Sequence, residues 1–173
     1  GWGGWVCGRA QVETAKTRNA GTGVGDGGVG DAAGYAMGGG ELIGRDGCGW
    51  RGGINMKQYG GKCPVIVIGG DAGNFLGEYM AGGIIVLMGR AVWQLAPGRH
   101  GGVIYLGRGN AAVVVPDGRD VGELTDDDAA TLGGLLARYD ACFGTEPPEQ
   151  ASVGEFVALR PASSRPYAAM YAS

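Results

Sequence analysis

Short apolar runs separated by glycine clusters recur along the middle of the chain. Gly34-Tyr35-Ala36-Met37 is followed by Gly38-Gly39-Gly40 and then Glu41-Leu42-Ile43-Gly44. Gly53-Ile54-Asn55-Met56 leads through Gly60-Gly61 to Val65-Ile66-Val67-Ile68-Gly69. Gly77-Glu78-Tyr79-Met80 leads through Gly82-Gly83 to Ile84-Ile85-Val86-Leu87-Met88-Gly89, and Gly98-Arg99-His100 through Gly101-Gly102 to Val103-Ile104-Tyr105-Leu106-Gly107. The marker positions 37, 56, 80 and 100 thus repeat at a period of about twenty residues. The runs are short and β-branched, which predicts strands. The Gly pairs suit turns with φ > 0, where a side chain is strained. No helical periodicity lies between the runs, so the helical crossovers of a doubly wound sheet are excluded. Parallel strands joined without helices require a solenoid, each turn stacked on the last. The Leu-x-x-Leu-x-Leu signature of leucine-rich repeats is missing, and propeller blades are too long for this period. The pattern predicts a parallel β-helix of about four to six rungs.

The pattern divides one domain into three parts. Residues 1–33 are read as an irregular Gly-rich segment, 34–116 as the rungs, and 117–173 as a helix and tail. Within the first part, the stretch from Gly21 to Gly30 is mostly glycine with two valines, which suits a thin first rung or a loose arm. Val113-Val114-Val115 before Pro116-Asp117-Gly118 ends the rung pattern at a turn. Thr125 offers a helix N-cap, and Asp126, Asp127 and Asp128 suit the positive end of the helix dipole as a solvated helix start. Leu132, Leu135, Leu136, Tyr139 and Phe143 then form one apolar stripe over about fifteen residues. This amphipathic helix is expected to cap the solenoid, whose end otherwise exposes strand edges. Pro147-Pro148 closes the segment, and Phe156–Leu159 reads as a last strand.

Composition narrows the function classes. Glycine supplies 39 of 173 residues, without the Gly-X-Y period of collagen. Hydrophobic residues make up 45%, which argues for a folded domain rather than a disordered linker. The net charge is −3 with no basic cluster, so nucleic-acid binding is not expected. No run approaches a membrane span and no signal-peptide pattern opens the chain, so a cytoplasmic location is expected. The first residue is Gly1 rather than Met, as in a fragment or a processed chain. Cys7, Cys48, Cys63 and Cys142 lack metal-site spacing and read as reduced, mostly buried thiols.

Catalytic signals are thin. Gly25-x-Gly27-x-x-Gly30 and Gly47-x-Gly49-x-x-Gly52 match a dinucleotide fingerprint, but chance alone gives roughly two matches at this glycine content, and neither has the required strand and helix around it. All four serines, Ser152, Ser163, Ser164 and Ser173, lie late in the chain and outside any Gly-x-Ser-x-Gly elbow. His100 is the sole histidine, and its register with Met37, Met56 and Met80 marks it as a rung position. Asp71, Glu78 and His100 are the weak site candidates. No catalytic, cofactor-binding or metal residue is assigned. Gly69, Gly70, Gly73, Gly77, Gly82, Gly83, Gly101 and Gly102 are assigned to structural turns.

The stretch Gly69-Gly70-Asp71-Ala72-Gly73-Asn74-Phe75-Leu76-Gly77-Glu78-Tyr79-Met80-Ala81-Gly82-Gly83 resembles the Gly-x-Gly-x-Gly repeat domain that ends the glutamate synthase large subunit. His100–Tyr105, the acidic helix start near Thr125, and Arg165-Pro166-Tyr167 with Tyr171 resemble its stand-alone form. The resemblance covers residues 31–171 and is loose before residue 34. It implies a right-handed parallel β-helix and a non-catalytic scaffold role between amidotransferase and flavin synthase subunits, which make glutamate from glutamine and 2-oxoglutarate. FMN and iron–sulfur clusters are then expected in those partner subunits and none in this chain. The same repeat resembles the Gly-rich subunits of formylmethanofuran dehydrogenase, of the formyltransferase/hydrolase complex and of N-methylglutamate synthase. The two formyl-transfer complexes are the first alternative. An esterase-like hydrolase is the second; its nucleophile would be Cys63, Cys142, Ser152, Ser163 or Ser164, with His100 as base. Homo-oligomerisation is left open.

Overall fold

The computed structural model describes residues 21–110, 121–144 and 152–161. The apolar runs form strands β1 (Thr22–Gly25), β2 (Glu41–Gly44), β3 (Val65–Ile68), β4 (Ala81–Leu87) and β5 (Gly101–Gly107). These five stack in parallel and in register: Leu42 beside Ile66, Ile66 beside Ile85, Ile85 beside Ile104. Partners lie one rung of about twenty residues apart, so the chain coils as a solenoid, as its repeat predicts. The described part of the Gly-rich segment, residues 21–33, supplies β1 and a complete first turn, so the rungs begin before Gly34. Residues 1–20, the Val113–Val115 run, Pro147-Pro148 and the tail around Tyr167 and Tyr171 lie outside the described residues.

One rung is longer than its neighbours. Its extra residues form a hairpin in which Tyr59 and Lys62 exchange backbone bonds around Gly60 and Gly61. Both glycines have positive φ (60° and 75°), the geometry a two-residue hairpin loop needs. The long marker interval between Met56 and Met80 is this hairpin.

A second side of each rung is a short bridge column, Val29–Cys48–Ala72–Ala91. The third side is an arm of overlapping turns. Tyr35 N–H bonds to Ala32 O and Met37 N–H to Gly34 O; Ile54 to Arg51 and Met56 to Gly53 repeat this one rung on, and Glu78 to Phe75 and Met80 to Gly77 a rung further. Stacking the rungs produces three columns of left-handed residues: Ala32, Arg51, Phe75 and Gln94; Gly34, Gly53, Gly77 and Ala96; Ala36, Asn55, Tyr79 and Gly98. Each turn thus draws its positive φ from these columns, a geometry that extended or helical backbone does not supply. Backbone bonds also join the arms, such as Ala32 N–H to Trp50 O (2.7 Å) and Arg51 N–H to Asn74 O (2.8 Å).

The interior is a set of ladders. Met37, Met56 and Met80 stack at 0–1% exposure beside Leu42, Ile66, Ile85 and Ile104. The middle arm column faces the isoleucine ladder. A Cβ on Gly34 would sit 2.5 Å from Ile66 Cδ1, on Gly53 2.7 Å from Ile85 Cδ1, and on Gly77 2.9 Å from Ile104 Cδ1. The next residue in that column is Ala96, and the ladder of parallel strands ends at Ile104.

The sheet's outer face is covered by α1 (Asp126–Phe143), the expected C-terminal helix. Leu132, Leu135, Leu136 and Tyr139 pack on Ile43, Val67, Val86 and Tyr105. The Tyr139 hydroxyl bonds to Arg45 O (2.9 Å), and Arg138 pairs with Glu41. Two further strands follow β5, the two-residue β6 (Val121–Gly122) and β7 (Phe156–Leu159). The open edge of β5 is taken by β7, which runs antiparallel to it and also pairs with β6. The helix therefore closes the solenoid from the side, and a strand closes its end.

Gly77→Ala places a side chain at φ +71° against Ile104. It is expected to lower stability by about 1–3 kcal/mol. Gly134→Ala, on α1 with nothing within 4 Å of its Cβ, is expected to raise it by about 1 kcal/mol. Urea unfolding midpoints of the two variants check the pair.

Candidate functional site

The sequence candidates are placed on separate parts of the solenoid, and no hydrogen bond or ion pair joins any two of them among the described residues. The exposed Asp71 directs Oδ1 to the backbone N–H of Arg90 in the next rung (2.7 Å). Asp31 does the same for Trp50 (2.8 Å). Glu78 is mostly buried and pairs with Arg51 Nε of the preceding rung at 3.3 Å, while the Arg51 guanidinium lies 5.6 Å from the centre of the Phe75 ring. These three acids bridge rungs.

The structure shifts His100 by one residue from the register read from the sequence. Arg99 N–H bonds to Ala96 O as Met37, Met56 and Met80 bond to Gly34, Gly53 and Gly77, so Arg99 takes the methionine position. His100 N–H bonds to Met80 O (2.9 Å) as Lys57 bonds to Met37 O and Ala81 to Met56 O. Its side chain points outward as those of the equivalent Lys57 and Ala81 do. The imidazole is exposed, with Nδ1 3.5 Å from Gly98 O, whereas the three methionines are buried in the interior. Met80 Cε already reaches beneath Gly102 and fills the interior there.

The turn glycines divide by cause. The second of each pair, Gly83 (φ +95°) and Gly102 (φ +76°), is left-handed; the first, Gly82 and Gly101, is not. Gly82 is required instead by close approach, since its Cβ would lie 2.5 Å from Gln58 N. Gly69, Gly70 and Gly73 are likewise crowded by the preceding rung, and a Cβ on Gly69 would run into Tyr139 Oη. The expectation of positive φ thus holds for Gly77, for both Gly60 and Gly61, and for the second member of the two later pairs. Neither dinucleotide-like motif precedes a helix; both fall in solenoid turns.

Among the described residues the thiols are mixed in exposure: Cys48 is buried, Cys142 half-buried and Cys63 exposed, which corrects the expectation of burial for the latter two. Burial pushes the Cys48 thiol up to about 11, against a backbone bond at Gly73, with Asp31 adding to the rise. Burial also raises Cys63. Both are thiols rather than thiolates at neutral pH, a poor state for a nucleophile. Cys7, Ser163, Ser164 and Ser173 lie outside the described residues, and Ser152 is exposed.

The most organised polar cluster was not among the candidates. Asp126 and Asp127 are exposed as expected, but Asp128 is buried at 4%. Thr125 N–H donates to its Oδ2 (2.9 Å), the Tyr105 hydroxyl to its Oδ1 (2.8 Å), and Arg160 pairs with the same oxygen. Burial raises the acid's pKa, but the bonds from Thr125, Tyr105 and Arg160 outweigh that and hold it at about 2. Burial and the same bond push the Tyr105 hydroxyl well above its ordinary value. Both groups are locked in one protonation state, so the cluster ties α1, β5 and the end of β7 together and is unsuited to proton transfer. The Thr-x-x-Asp spacing of a capping box was the available signal. Asn110 was also missed. Its side chain accepts from Ala91 N–H (3.0 Å) and donates to Gly89 O (2.7 Å), supplying the bonds a further rung would make. No group of three or more His, Cys, Asp or Glu among the described residues is placed to hold a metal ion, and no described helix is long and apolar enough to cross a membrane.

Comparison with known proteins places this architecture. The family model described as the GXGXG motif matches residues 11–117. The chain belongs to the GXGXG motif family. An uncharacterized protein of Methanocaldococcus jannaschii is 32% identical over 135 residues, which cover 71% of this chain and 52% of that protein. The chain thus matches about half the length of that relative. In this GXGXG domain, the glycines serve the left-handed arm and the rung-to-rung contacts, and the polar side chains serve rung joining and end closure.

The depressed pKa of Asp128 predicts a pH signature. A carboxyl held below its unfolded value of about 3.9 stabilises the fold above that pH, and the contribution fades as pH falls toward 2. Asp128→Asn is expected to cost about 2 kcal/mol at pH 6, and the gap from wild type should close by about pH 2. Urea midpoints across that range read the difference.

Proposed function

We propose that this chain is a non-catalytic β-helix scaffold subunit of a glutamate-synthase-like complex. Partner amidotransferase and flavin synthase subunits would form glutamate from glutamine and 2-oxoglutarate in the cytoplasm. Membership of the GXGXG motif family supports a domain of this kind. The observation that carries the scaffold reading is the use made of the polar side chains. Asp31, Asp71, Glu78, Asn110 and Asp128 are committed to joining rungs or closing the end. A hydrolase needs a nucleophile, a base and an oxyanion site within hydrogen-bond reach. Here His100 faces solvent on Gly98 O, and the Cys48 and Cys63 thiols are protonated. FMN and iron–sulfur clusters belong, on this reading, to the partner subunits. A stiff stack of rungs presents long side faces to such partners, as solenoids do.

Affinity purification of the tagged chain from its native source tests this. Recovery of amidotransferase and flavin synthase subunits is the expected outcome. Recovery of molybdenum or tungsten formyl-transfer subunits would reassign the chain to a one-carbon complex. The purified chain alone is expected to be inert toward glutamine, 2-oxoglutarate and short-chain esters; ester hydrolysis abolished by His100→Ala would overturn the scaffold reading.

A further inference from the structure

Register partners in the parallel stack are 19 residues apart at Thr22 and Glu41, at Val65 and Ile84, and at Ile84 and Val103, but 24 apart at Glu41 and Val65. The five extra residues build the hairpin at Gly60 and Gly61, and the neighbouring rungs close without one. Every residue from Lys57 to Cys63 is exposed, so the hairpin adds nothing to the core. It is nonetheless a fixed element. Tyr59 and Lys62 exchange two backbone bonds, and the backbone of Gln58 is seated against Gly82 of the next rung. An ordered protrusion that buries no core points to a use at the surface.

The tip presents the ring of Tyr59, 80% exposed, between Lys57 and Lys62. Other surface ions are paired within the chain: Arg45 with Asp26, Arg138 with Glu41, Arg108 with Glu123. Among the described residues neither lysine of the hairpin has a carboxylate partner.

The complement of this tip lies on the same side of the molecule. Val65, two residues after Cys63, belongs to the apolar layer under α1. The Cys63 thiol is near enough to the Tyr105 hydroxyl to raise its pKa, and that hydroxyl donates to Asp128. The base of the hairpin and the start of α1 thus flank one tyrosine. Asp126 and Asp127 at that start are exposed and, among the described residues, have no cation partner. One and two turns on, the helix exposes Ala130 and Gly134, and a Cβ on Gly134 would meet nothing within 4 Å. The helix therefore offers a flat strip with two free carboxylates at one end, and the hairpin a ring with a free ammonium on either side.

A two-fold axis between the two features sets each hairpin on the other copy's helix. The lysines then meet Asp126 and Asp127 of the other copy, and the Tyr59 ring lies on its Ala130 and Gly134. The contact is made twice, so both sets of free charges are satisfied at once, whereas an unrelated partner on the hairpin leaves the helix start unpaired. Each copy brings about a dozen residues, roughly half of what a standard interface uses, which sets the affinity in the micromolar range. We infer that the 57–63 hairpin docks on the first turns of α1 in a second copy of the chain, forming a two-fold dimer.

Sedimentation equilibrium of the full chain from micromolar to submillimolar concentration tests this. A dimer that weakens with added salt is expected. Lys57→Glu with Lys62→Glu sets like charges together and should weaken association about 10-fold or more, as should Asp126→Lys with Asp127→Lys. An equimolar mixture of the two variants should dimerise as the wild type does, because both contacts regain opposite charges. If the aspartate variant fails to fold, Tyr59→Ser is read instead, with an expected loss of about 10-fold. Trp50→Ser with Trp93→Ser, on the arm, should leave the dimer intact. A monomeric wild type, a dimer unchanged in the folded lysine or tyrosine variant, a dimer lost in the folded tryptophan variant, or a mixture that stays monomeric overturns the assignment. So does association that continues past the dimer, or a monomer that binds another protein only while Tyr59 and both lysines are intact.

Discussion

The width of this solenoid is set by isoleucine δ-methyls seated on residues that have no Cβ. Ile66, Ile85 and Ile104 reach across the interior toward the backbone of Gly34, Gly53 and Gly77, and in each case an added methyl would lie within 2.9 Å of the isoleucine. The contact requires two things of one residue. It must be left-handed so that the arm can turn, and it must be bare so that the ladder can close on it. Only glycine meets both without strain. Ala96 marks where the requirement lapses: the turn persists at φ 48°, but the parallel isoleucine ladder has ended. Close packing then propagates, because each rung lies about 4.8 Å from the next and backbone bonds form on all three sides.

Such a stack has no natural end; two devices end it after β5, and a third covers its side. Asn110 copies a missing rung with one side-chain amide, donor and acceptor both engaged. The antiparallel β7 covers the edge of β5, with backbone bonds of opposite direction to those inside the solenoid. Helix α1 lies across the outer face, its aliphatic stripe on Val67, Val86 and Tyr105. Asp128 links these pieces, since its donors come from the helix cap, β5 and the residue after β7. A buried charge removed from water is costly unless its lone pairs are filled, and here both oxygens accept. The cluster is therefore specific to this arrangement of the three pieces.

The legibility of these features in the sequence follows their range. The β-strand runs and the helix stripe are periodic in residue type, so both could be read directly. The arm could not. Its left-handed columns hold Arg51, Asn55, Phe75, Tyr79 and Gln94 as well as glycine, and nothing in those residue types announces positive φ. The first rung was obscured because Gly23 and Gly25 stand where later rungs place aliphatic side chains, so its strand has backbone pairing with little apolar pattern. Asp128 was hidden by its exposed neighbours, which share its chemistry and not its burial. Asn110 and Arg160 act on partners that only the coiled chain brings near. His100 shows the converse limit: spacing alone set it on the methionine marker, but the backbone bonds give that place to Arg99 and leave His100 at the outward position of Lys57 and Ala81.

A solenoid built this way keeps its inside dry and narrow, so chemistry must come from its surfaces. The sheet face is occupied by α1, and the end of β5 by β7. On the bridge side Cys48, Ala72 and Ala91 face the interior between glycines such as Gly47 and Gly70 whose Cβ positions are blocked by a neighbouring rung, and Asp71, Arg90 and Val92 are exposed. Among the described residues, the exposed Trp50 and Trp93 lie on the arm, where side chains on either side of the glycine column point outward. Alternating turns there give an outward side chain at a fixed height on every rung, and the backbone ladder holds each height rigidly. A surface of that kind suits recognition of another rigid surface better than capture of a small molecule, because its rings are spaced by the rung and cannot close around a ligand. The same glycine column that fixes the core spacing therefore also fixes the spacing of Trp50 and Trp93 on the outside, and links the packing of this fold to the arm face that the described elements leave uncovered.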